Sequence, residues 1–505
     1  MRIWVSATIL AVVFAVSSAQ AAQTYTPTSL TAQQVFAKAR AARGHLKPGA
    51  YHSVYERTRG DSTTSIDVYE APLGFMETER EGAFTWANGS YKGTNWSQDE
   101  NGVVTLDSDF ETVSNPFITA LSRTPGENSG VRVLGVTTTQ PACVVVQVAP
   151  RSGLVQQRYY DAKTFLLRRV VTTDYRNLPW TYDYGDYATQ YGLTFAQTVT
   201  YSDSHPENTT VTRSKLFERI APAAMHLAIP KTRPLFGLPS DAPVQIPAEF
   251  TPDGIIVRVT IQGRGLDFQL DSGAGNIVLD ASVARQLGLS VIDVHKGTFS
   301  GDFSIGRSIA PDFAVGTLHA GNVAINTIPF ERMVGDRKVV GLLGGDFFAS
   351  QRVEVNFKQS ALTIAPSSSV APSGDWTAIP IEVDDMVPRA HAKFNAVDGA
   401  FIVDLGADDT MLYPHFFRQF KPNRAGDVMG QMVGIAGQGV DYRQYTFSRF
   451  DFGDLAFADA TADVTSGTKF EEIDYDGLLG RNILANFNLV FDYAAGRLYV
   501  QPLIQ

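Results

Sequence analysis

Residues 341–366 have the sequence GLLGGDFFASQRVEVNFKQSALTIAP, and residues 477–502 have the sequence GLLGRNILANFNLVFDYAAGRLYVQP. The two stretches align without a gap at an offset of 136 residues. Upstream, each copy has an apolar run followed by a short acidic motif, and these two motifs lie 133 residues apart: Asp271-Ser272-Gly273-Ala274 and Asp404-Leu405-Gly406-Ala407. A repeat of this length indicates two copies of one domain rather than a solenoid.

Breaks in the apolar pattern divide the rest of the chain. Prolines punctuate the region from Pro230 to Pro252 and indicate an extended linker, and the Pro- and Ser-rich residues 366–374 mark a second break. A length of 505 residues suits roughly three domains. The sequence therefore predicts these segments: a signal peptide (1–21), an N-terminal β-rich domain (22–229), a linker (230–242), a first lobe (243–366), a linker (367–375) and a second lobe (376–505).

Composition excludes several classes of function. The 42 basic and 52 acidic residues give a net charge of −10, and the basic residues are scattered, which argues against nucleic acid or an anionic membrane surface as the main partner. The single cysteine, Cys143, cannot form an internal disulfide, and the common zinc motifs are absent from the sequence. No apolar stretch is long enough to predict a transmembrane segment.

The first residues resemble an export signal. Arg2 precedes an apolar stretch from Ile3 to Val16, and Ala19-Gln20-Ala21 has the small-x-small pattern of a cleavage site. We therefore expect the mature chain to begin at Ala22 and the protein to be exported. One unpaired cysteine suits a bacterial periplasm better than a disulfide-rich secreted protein. The alternative is an uncleaved anchor helix, for which the apolar stretch is short.

The N-terminal domain is predicted to be mostly β. Thr31 could cap a short helix that ends at Arg43, and short alternating runs with turn residues between them follow. The tyrosines in residues 182–191 could form an aromatic platform for a ligand, or simply one face of a half-buried strand. In its order of elements the domain resembles the LolA-like half-barrel of periplasmic lipoprotein carriers. That resemblance implies an envelope partner or an apolar ligand, but it assigns no site residues.

Each copy of the repeat contributes one aspartate directly after a predicted strand. If the copies pack around a pseudo-twofold axis, Asp271 and Asp404 face each other. Two adjacent carboxyls cannot both ionise cheaply, so they share a proton. The ionised member can accept a proton from water while the protonated member hydrogen-bonds a carbonyl. Such a pair needs no metal and no cofactor, and the implied reaction is hydrolysis of a peptide bond in a peptide or protein substrate.

These motifs resemble those of retropepsin-like aspartic proteases over residues 243–505. The sequence FQLDSGAGNIVLDASVARQLGL (268–289) is similar to the catalytic loop of bacterial members, and IVDLGADDTML (402–412) with GLLGRN (477–482) is similar to retroviral ones. The resemblance implies a mainly β fold with two closed lobes that form a pseudo-dimer in one chain. It implies that Asp271 and Asp404 are the catalytic dyad, with loop support from Ser272, Gly273, Ala274, Gly406 and Ala407.

The stretch QMVGIAGQGVDYRQY (431–445) is similar to the flap of the same family. Glycines suit the mobile tip of a hairpin. The resemblance therefore places the flap tip at Gly434, Ile435, Ala436 and Gly437. The alternative is an ordinary glycine-rich hairpin. In the first copy, the matching region 297–306 lacks this pattern, so the sequence does not place a flap there.

Two departures from the family make the lobes unequal. Leu405 stands where the family has Ser or Thr, and leucine has no hydroxyl to bond across the interface. The second lobe has Asp408 and Arg481 at positions where the family pairs an acid with an arginine, whereas the first lobe has Gly275 and Gly345. We expect Asp408 and Arg481 to pair within the lobe. Asp408 and Asp409 could instead be surface acids or a substrate-binding edge.

Two functions are therefore compatible with the sequence. The first is an exported, metal-independent aspartic endopeptidase whose N-terminal domain positions a substrate or partner. The second is a non-catalytic peptide- or partner-binding pseudoprotease fused to a carrier-like domain. Leu405 is the residue that keeps the second hypothesis open, because it removes half of the expected hydroxyl brace.

Overall fold

The structure, a computed structural model, describes residues 24–106, 130–149, 155–173, 179–221, 227–238, 242–298, 302–330, 332–420, 428–433, 439–465 and 475–503. The chain is mainly β, as the sequence predicts. The expected signal peptide and the expected mature start at Ala22 lie outside the described residues. Within them, no helix has both the length and the apolar character needed to cross a membrane.

The N-terminal domain is one long antiparallel sheet with a helix packed on it. Helix α1 spans Ala32–Arg43, and its cap is confirmed: Gln34 N–H donates to Thr31 Oγ1 at 3.2 Å, and Thr31 N–H donates to Gln34 Oε1 at 2.9 Å. A short 3₁₀ turn covers Pro206–Asn208. The described strands are β1 Tyr25–Thr26, β2 Ala50–Arg59, β3 Ser62–Ala71, β4 Gly74–Glu81, β5 Phe84–Tyr91, β6 Thr94–Gln98, β7 Val104–Leu106, β8 Gly130–Thr137, β9 Cys143–Ala149, β10 Gln156–Asp161, β11 Leu167–Thr173, β12 Pro179–Gln190, β13 Leu193–Ser202 and β14 Thr210–Ile220.

These strands follow each other in the order β1-β8-β9-β10-β11-β12-β13-β14-β2-β3-β4-β5-β6-β7. Val35 and Phe36 of α1 are buried against β9 and β10, where Val144, Val146 and Tyr160 form the other side of the core. The tyrosine-rich segment lies on β12, where Tyr184 is buried. This burial favours the strand-face interpretation over an open aromatic platform.

The first lobe contains helices α2 (Ala281–Gln286) and α3 (Gly345–Ala349). Its strands are β15 Val244–Ile246, β16 Ala248–Thr251, β17 Gly254–Ile261, β18 Arg264–Leu270, β19 Val278–Asp280, β20 Ile292–Thr298, β21 Asp302–Val315, β22 Leu318–Ile328, β23 Arg332–Val334, β24 Arg337–Val339, β25 Gly341–Leu343, β26 Arg352–Asn356 and β27 Ala361–Ala365.

The second lobe contains helices α4 (Pro414–Phe417) and α5 (Arg481–Leu484). Its described strands are β28 Thr377–Asp384, β29 Val387–Phe394, β30 Val397–Val403, β31 Met411–Leu412, β32 Val428–Val433, β33 Gly439–Phe447, β34 Phe450–Phe452, β35 Leu455–Phe457, β36 Ala460–Thr465, β37 Gly477–Leu479, β38 Phe487–Asp492 and β39 Arg497–Pro502.

The two lobes repeat one uncommon strand pattern, in which parallel pairs cross inside a mostly antiparallel sheet. In the first lobe β18 runs parallel to β25 and β19 runs parallel to β22. In the second lobe β30 runs parallel to β37 and β31 runs parallel to β36. Each GLLG motif is therefore a central strand whose neighbour leads directly into an aspartate.

A six-stranded sheet joins the lobes, in the order β15-β27-β26-β38-β39-β28. Its central contact is antiparallel, with Val353 opposite Phe491 and Val355 opposite Leu489. These side chains are fully buried in one apolar core that extends through both lobes. Burial on this scale holds the two halves of the interface in a fixed relation.

The Pro-rich linker is extended, as predicted, but it is not a free spacer. Phe236 is 1% exposed and packs against Phe313 and Phe347 of the first lobe. The Arg233 N–H donates to Gly102 O at 2.8 Å. The linker is thereby attached to both domains that it connects, because its apolar and backbone groups find partners on each side.

Candidate active site

Asp271 and Asp404 lie at equivalent places in the two lobes, one after β18 and the other after β30. The Asp271 N–H donates to Leu343 O and the Asp404 N–H donates to Leu479 O, both at 3.0 Å. Each aspartate thus continues the ladder between its own strand and the GLLG strand. The repeated strand pattern therefore delivers one carboxyl from each lobe to the same interface.

Each carboxyl is oriented by its own loop. Asp271 Oδ1 accepts hydrogen bonds from the N–H groups of Gly273 and Ala274, each at 3.0 Å. The second lobe repeats this arrangement for Asp404 Oδ1, which accepts from Gly406 at 2.8 Å and from Ala407 at 3.1 Å. Two backbone donors fix the direction of each carboxyl and leave its second oxygen free for other partners.

The loops meet through their glycines. A Cβ atom added to Gly273 would lie 2.3 Å from Asp404 Cγ, and one added to Gly406 would lie 2.3 Å from Asp271 Cγ. Each carboxyl therefore packs on the glycine of the other lobe, and the two carboxyls lie within hydrogen-bonding reach. A larger residue at either glycine position would push the carboxyls apart.

Burial and mutual charge separate the proton affinities of the two carboxyls. Burial raises the pKa of Asp404 to about 8, and the neighbouring charge of Asp271 adds to this increase. Burial also raises the pKa of Asp271, but the Arg332 guanidinium opposes that rise. The pair therefore holds one proton at neutral pH, with Asp404 as the protonated member and Asp271 as the ionised one.

Ser272 provides a hydroxyl bridge between the lobes. Its side chain is fully buried, and Oγ donates to Val403 O at 2.7 Å while accepting from the Leu405 N–H at 3.0 Å. Leu405 occupies the equivalent position in the second loop and is also fully buried. Because leucine has no hydroxyl, the reciprocal bridge from the second lobe is absent at this position.

Two side chains that the sequence analysis missed hold the second loop instead. Gln269 Nε2 donates to Gly406 O at 3.2 Å, and Arg332 Nη1 donates to the same oxygen at 3.1 Å. Arg332 Nη2 also lies 3.2 Å from Asp408 Oδ1. The fully buried polar Gln269 in an apolar strand was an available signal. Arg332 had none, because it lies 61 residues from Asp271 and only the fold brings it near.

Asp408 and Arg481 lie together in the second lobe. Arg481 is 4% exposed; its Nη2 lies 2.5 Å from Asp408 Oδ1, and its Nη1 donates to Leu405 O at 3.0 Å. Nη2 also donates to Pro252 O of the first lobe at 3.1 Å. The Asp408 side chain is 55% exposed. The arginine is therefore the buried member, and it links the second loop to the opposite lobe as well as to its acid.

In the first lobe, a turn of the second lobe occupies the space that such a pair would need. A Cβ atom on Gly345 would lie 2.2 Å from Met386 O, and one on Gly275 would lie 2.5 Å from Asp385 O. Asp385 and Met386 form the turn between β28 and β29. The joint loss of the acid and the arginine in the first lobe thus has a steric reason.

The proposed flap tip, Gly434 to Gly437, lies outside the described residues. The strands on either side of it pair as a hairpin, with Met432 opposite Val440. The first lobe has a hairpin in the matching region, where Gly297 of β20 lies opposite Phe303 of β21. The sequence did not place this second hairpin, because only the fold reveals the pairing.

Over the part of the chain that the structure describes, no group of three or more His, Cys, Asp and Glu side chains is arranged to hold a metal ion.

The comparisons with known proteins agree with this geometry. The aspartyl protease family model matches the chain twice, over residues 257–347 and 390–483. Both lobes are aspartic protease lobes. Each match spans one aspartate loop and the GLLG strand that pairs beside it. No curated protein sequence matches the chain.

Several solved structures are similar to parts of this aspartic protease chain. An aspartic proteinase from Irpex lacteus is 15% identical with a TM-score of 0.34, and the match covers 52% of this chain and 97% of the other. A retropepsin-like aspartic protease from Rickettsia conorii is 21% identical with a TM-score of 0.21, covering 25% of this chain and 89% of the other. A putative outer membrane lipoprotein-sorting protein domain from Vibrio parahaemolyticus is 15% identical with a TM-score of 0.30, covering 37% and 91%.

Proposed function

We propose that the protein is an exported aspartic endopeptidase in which Asp271 and Asp404 activate a water molecule against a peptide bond. One observation carries the proposal: two carboxyls from equivalent loops lie within hydrogen-bonding reach, and their environments separate their proton affinities. A pair of titratable groups with separated pKa values is the arrangement that acid–base hydrolysis requires.

In this mechanism the ionised Asp271 accepts a proton from water as the water oxygen attacks the scissile carbonyl carbon. The protonated Asp404 hydrogen-bonds the carbonyl oxygen and gives it the proton, which leaves a neutral tetrahedral diol. Asp271 then returns its proton to the leaving nitrogen as the C–N bond breaks. Collapse of the diol to the carboxylic acid restores the proton on Asp404, so the pair returns to its starting state.

The fixed backbone supports this division of labour. Each carboxyl uses one oxygen for its own loop amides, so the second oxygen is available to water or substrate. The Arg332 guanidinium favours the charged form of Asp271, which is the form that the base requires. Preorganised groups of this kind lower the reorganisation needed in the transition state.

Turnover of a mixed peptide library between about pH 3 and pH 7 tests the proposal. The library is incubated with the mature protein, with and without a transition-state-mimic inhibitor of aspartic proteases, and cleavage is followed by mass spectrometry. Cleavage that the inhibitor blocks supports an endopeptidase. Binding of library peptides without cleavage would instead support the pseudoprotease hypothesis, which the missing hydroxyl at Leu405 motivates.

Export is the part of the proposal that rests on the sequence pattern at Ala19-Gln20-Ala21. The periplasm of a Gram-negative cell is the compartment we propose, and a peptide or protein is the substrate class. N-terminal sequencing of protein recovered from the periplasmic fraction should give a chain that begins at Ala22. Recovery of full-length protein from the cytoplasm would contradict this part alone.

A further inference from the structure

A turn of the N-terminal domain reaches the first aspartic protease lobe next to its aspartate loop. The turn connects β6 and β7 and comprises residues 99–103, which we call the 99–103 turn. It is held in shape by the Val103 N–H, which donates to Asp99 Oδ1 at 2.7 Å, and by Arg233 of the linker, which donates to Asn101 O at 3.0 Å. Asn101 is 5% exposed, so its side chain lies inside the contact with the lobe.

The second lobe shows what this position requires. Asn482, directly after Arg481, accepts from the Thr410 N–H through Oδ1 at 2.9 Å and donates through Nδ2 to Thr461 O at 3.0 Å. One amide side chain therefore connects the end of the Asp404 loop to strand β36. The loop is fixed by a group that both accepts and donates.

The first lobe has Asp346 at the position of Asn482. The backbone bonds around the two residues confirm that the positions match: Gly345 N–H donates to Ala274 O as Arg481 N–H donates to Ala407 O, at 2.7 and 3.0 Å. Asp346 Oδ2 accepts from the Ile277 N–H at 3.0 Å, which corresponds to the first bond of Asn482. An ionised carboxyl cannot make the second bond, because it has no hydrogen to donate.

Asn101 makes that second bond from the other domain. Its Nδ2 donates to Ala324 O at 3.0 Å, and its Oδ1 accepts from the Ala324 N–H at 2.8 Å. Ala324 is the counterpart of Thr461, because Asn326 lies opposite Val278 as Asp463 lies opposite Met411. The amide missing from the first lobe is thus supplied across the domain boundary.

The remaining oxygen of Asp346 faces the same turn. Asp346 Oδ1 and Asp99 Oδ2 are both buried without a hydrogen-bonding partner of another kind in the described structure, and the two carboxyls interact with each other. Burial raises the pKa of Asp346, and the charge of Asp99 adds to that rise. Two buried carboxyls at this distance are compatible only when a proton lies between them.

We propose that the 99–103 turn is a positioning element for the first aspartate loop: Asn101 replaces the amide that Asn482 supplies within the second lobe, and Asp99 shares one proton with Asp346. The N-terminal domain then completes the support of the Asp271 loop. The consequence for turnover rests on the proposed peptidase function, but the coupling between turn and loop does not.

The structure offers a matched control in Asn208, another asparagine of the N-terminal domain that is also 5% exposed. Its Nδ2 donates to Lys296 O at 2.9 Å and its Oδ1 accepts from the Lys296 N–H at 3.0 Å. Asn208 therefore docks the same two domains with the same pair of bonds, but on β20 rather than at the aspartate loop. Asn208→Ala measures the cost of weaker docking alone.

In the full-length protein, Asn101→Ala should lower kcat for library peptides by about ten- to a hundredfold with little change in KM, because a displaced loop misplaces Asp271. Asn208→Ala should leave kcat unchanged. In the Asp346→Asn background, Asn101→Ala should cost less than threefold, since the new amide can itself donate to Ala324 O. Equal kcat values for wild type, Asn101→Ala and Asn208→Ala would overturn the proposal.

If the wild type shows no turnover, the peptidase proposal fails and hydrogen exchange still tests the turn. The Ala274 and Ile277 amides should exchange at least about tenfold faster in Asn101→Ala than in wild type or Asn208→Ala. Adding Asp346→Asn should restore their protection. Unchanged exchange in Asn101→Ala would overturn the positioning role without reference to activity.

The shared proton has its own readout. Because the pKa of Asp346 is raised in the folded state, wild type should lose stability as pH rises above the ordinary range of a carboxyl, whereas Asp346→Asn should not. The gap between their melting temperatures should therefore widen from about pH 4 to pH 8. Parallel curves would exclude the shared proton. The other charged groups of the contact are the same in both proteins: Glu100, Arg307, Glu81, Asp293 and Arg233.

Discussion

Two carboxyls and two glycines define the proposed site at the scale of single residues. Asp271 and Asp404 can approach each other because Gly273 and Gly406 leave no side chain between them. The lobes nevertheless differ: Ser272 bridges the interface through a hydroxyl, whereas Gln269 and Arg332 hold the other loop. Residue-scale predictions therefore separate the carboxyl pair from the groups that brace it.

Asp271→Asn and Asp404→Asn should each lower turnover of library peptides by about 10²- to 10⁴-fold, because each removes one member of the acid–base pair. Neither should unfold the protein, since an amide oxygen can still accept the loop N–H bonds. Asp398→Asn, at a 52% exposed side chain of the second lobe, is the matched control and should retain activity. Turnover that survives both active-site substitutions would refute the catalytic roles.

The pH profile of turnover should follow the two carboxyls. Activity should fall as pH rises through the pKa of Asp404, about 8, because the hydrogen-bond donor is lost. It should also fall at low pH as Asp271 becomes protonated. Arg332→Met should move this acid limb to higher pH, since the arginine lowers the pKa of Asp271. Initial rates over a buffer series measure both limbs, and an unmoved acid limb would contradict the role of Arg332.

Leu405→Thr should leave turnover intact or raise it, because its hydroxyl could donate to Leu270 O as Ser272 donates to Val403 O. The free energy of unfolding should fall by about 1–3 kcal/mol, because a fully buried leucine is lost. Leu405→Val is the matched control, with the same shape and no hydroxyl. If kcat for the two variants is identical, the hydroxyl adds nothing at this position.

At the scale of elements, the repeated lobe has been modified in opposite ways on its two sides. Arg481 at the start of α5 extends from the second lobe to Pro252 in the β16–β17 turn. In the first lobe the β28–β29 turn packs directly on Gly275 and Gly345. Each lobe therefore receives the hairpin turn of the other, one through an arginine and one through bare backbone.

Arg481→Ala should lower the free energy of unfolding by about 3 kcal/mol, because it leaves two buried carbonyl groups without donors. Asp408→Ala should cost only about 1 kcal/mol or less, because that side chain is half exposed and Arg481 keeps its carbonyl partners. Urea titration of both variants measures the difference, with Arg497→Ala at an exposed strand position as the control. Equal costs for Arg481 and Asp408 would show that the pair, rather than the carbonyl bonds, carries the stability.

At the scale of the whole molecule, the six-stranded sheet keeps the lobes in register. Arg352 at the start of β26 donates to Asp492 at the end of β38, with Nε–Oδ2 at 3.0 Å and Nη2–Oδ2 at 2.5 Å. The two side chains are 8% and 2% exposed. Arg352 Nη1 also donates to Val370 O of the second linker at 2.7 Å. This ion pair thus joins both lobes and the segment between them.

Arg352→Ala or Asp492→Ala should each lower the free energy of unfolding by about 3–5 kcal/mol, because each strands a buried charge. The double variant should cost less than the sum of the two. Arg258→Ala removes an exposed arginine from a surface pair and should cost no more than about 1 kcal/mol. Strict additivity of the two buried substitutions in denaturant titrations would show that the charges do not interact.

Much of this architecture could be predicted because it depends on local pattern. The 136-residue repeat, the strand before each aspartate and the Thr31 cap are recorded in neighbouring residues, whose periodicity and turn chemistry act over a few positions. The absence of a hydroxyl at Leu405 and the unequal occupants of the Arg481 position were also visible directly in the alignment of the two copies. The aspartate loops and their glycines therefore emerged without any knowledge of the fold.

Only the tertiary structure decided which distant groups replace the missing ones. Gln269, Arg332 and Asn101 support the aspartate loops from other strands or from another domain, and no sequence spacing connects them to the residues they contact. The same holds for Phe236, which turns a Pro-rich linker into part of the core. Hydrogen bonds and burial depend on distance in space, and chain separation carries no information about that distance until the sheets have closed.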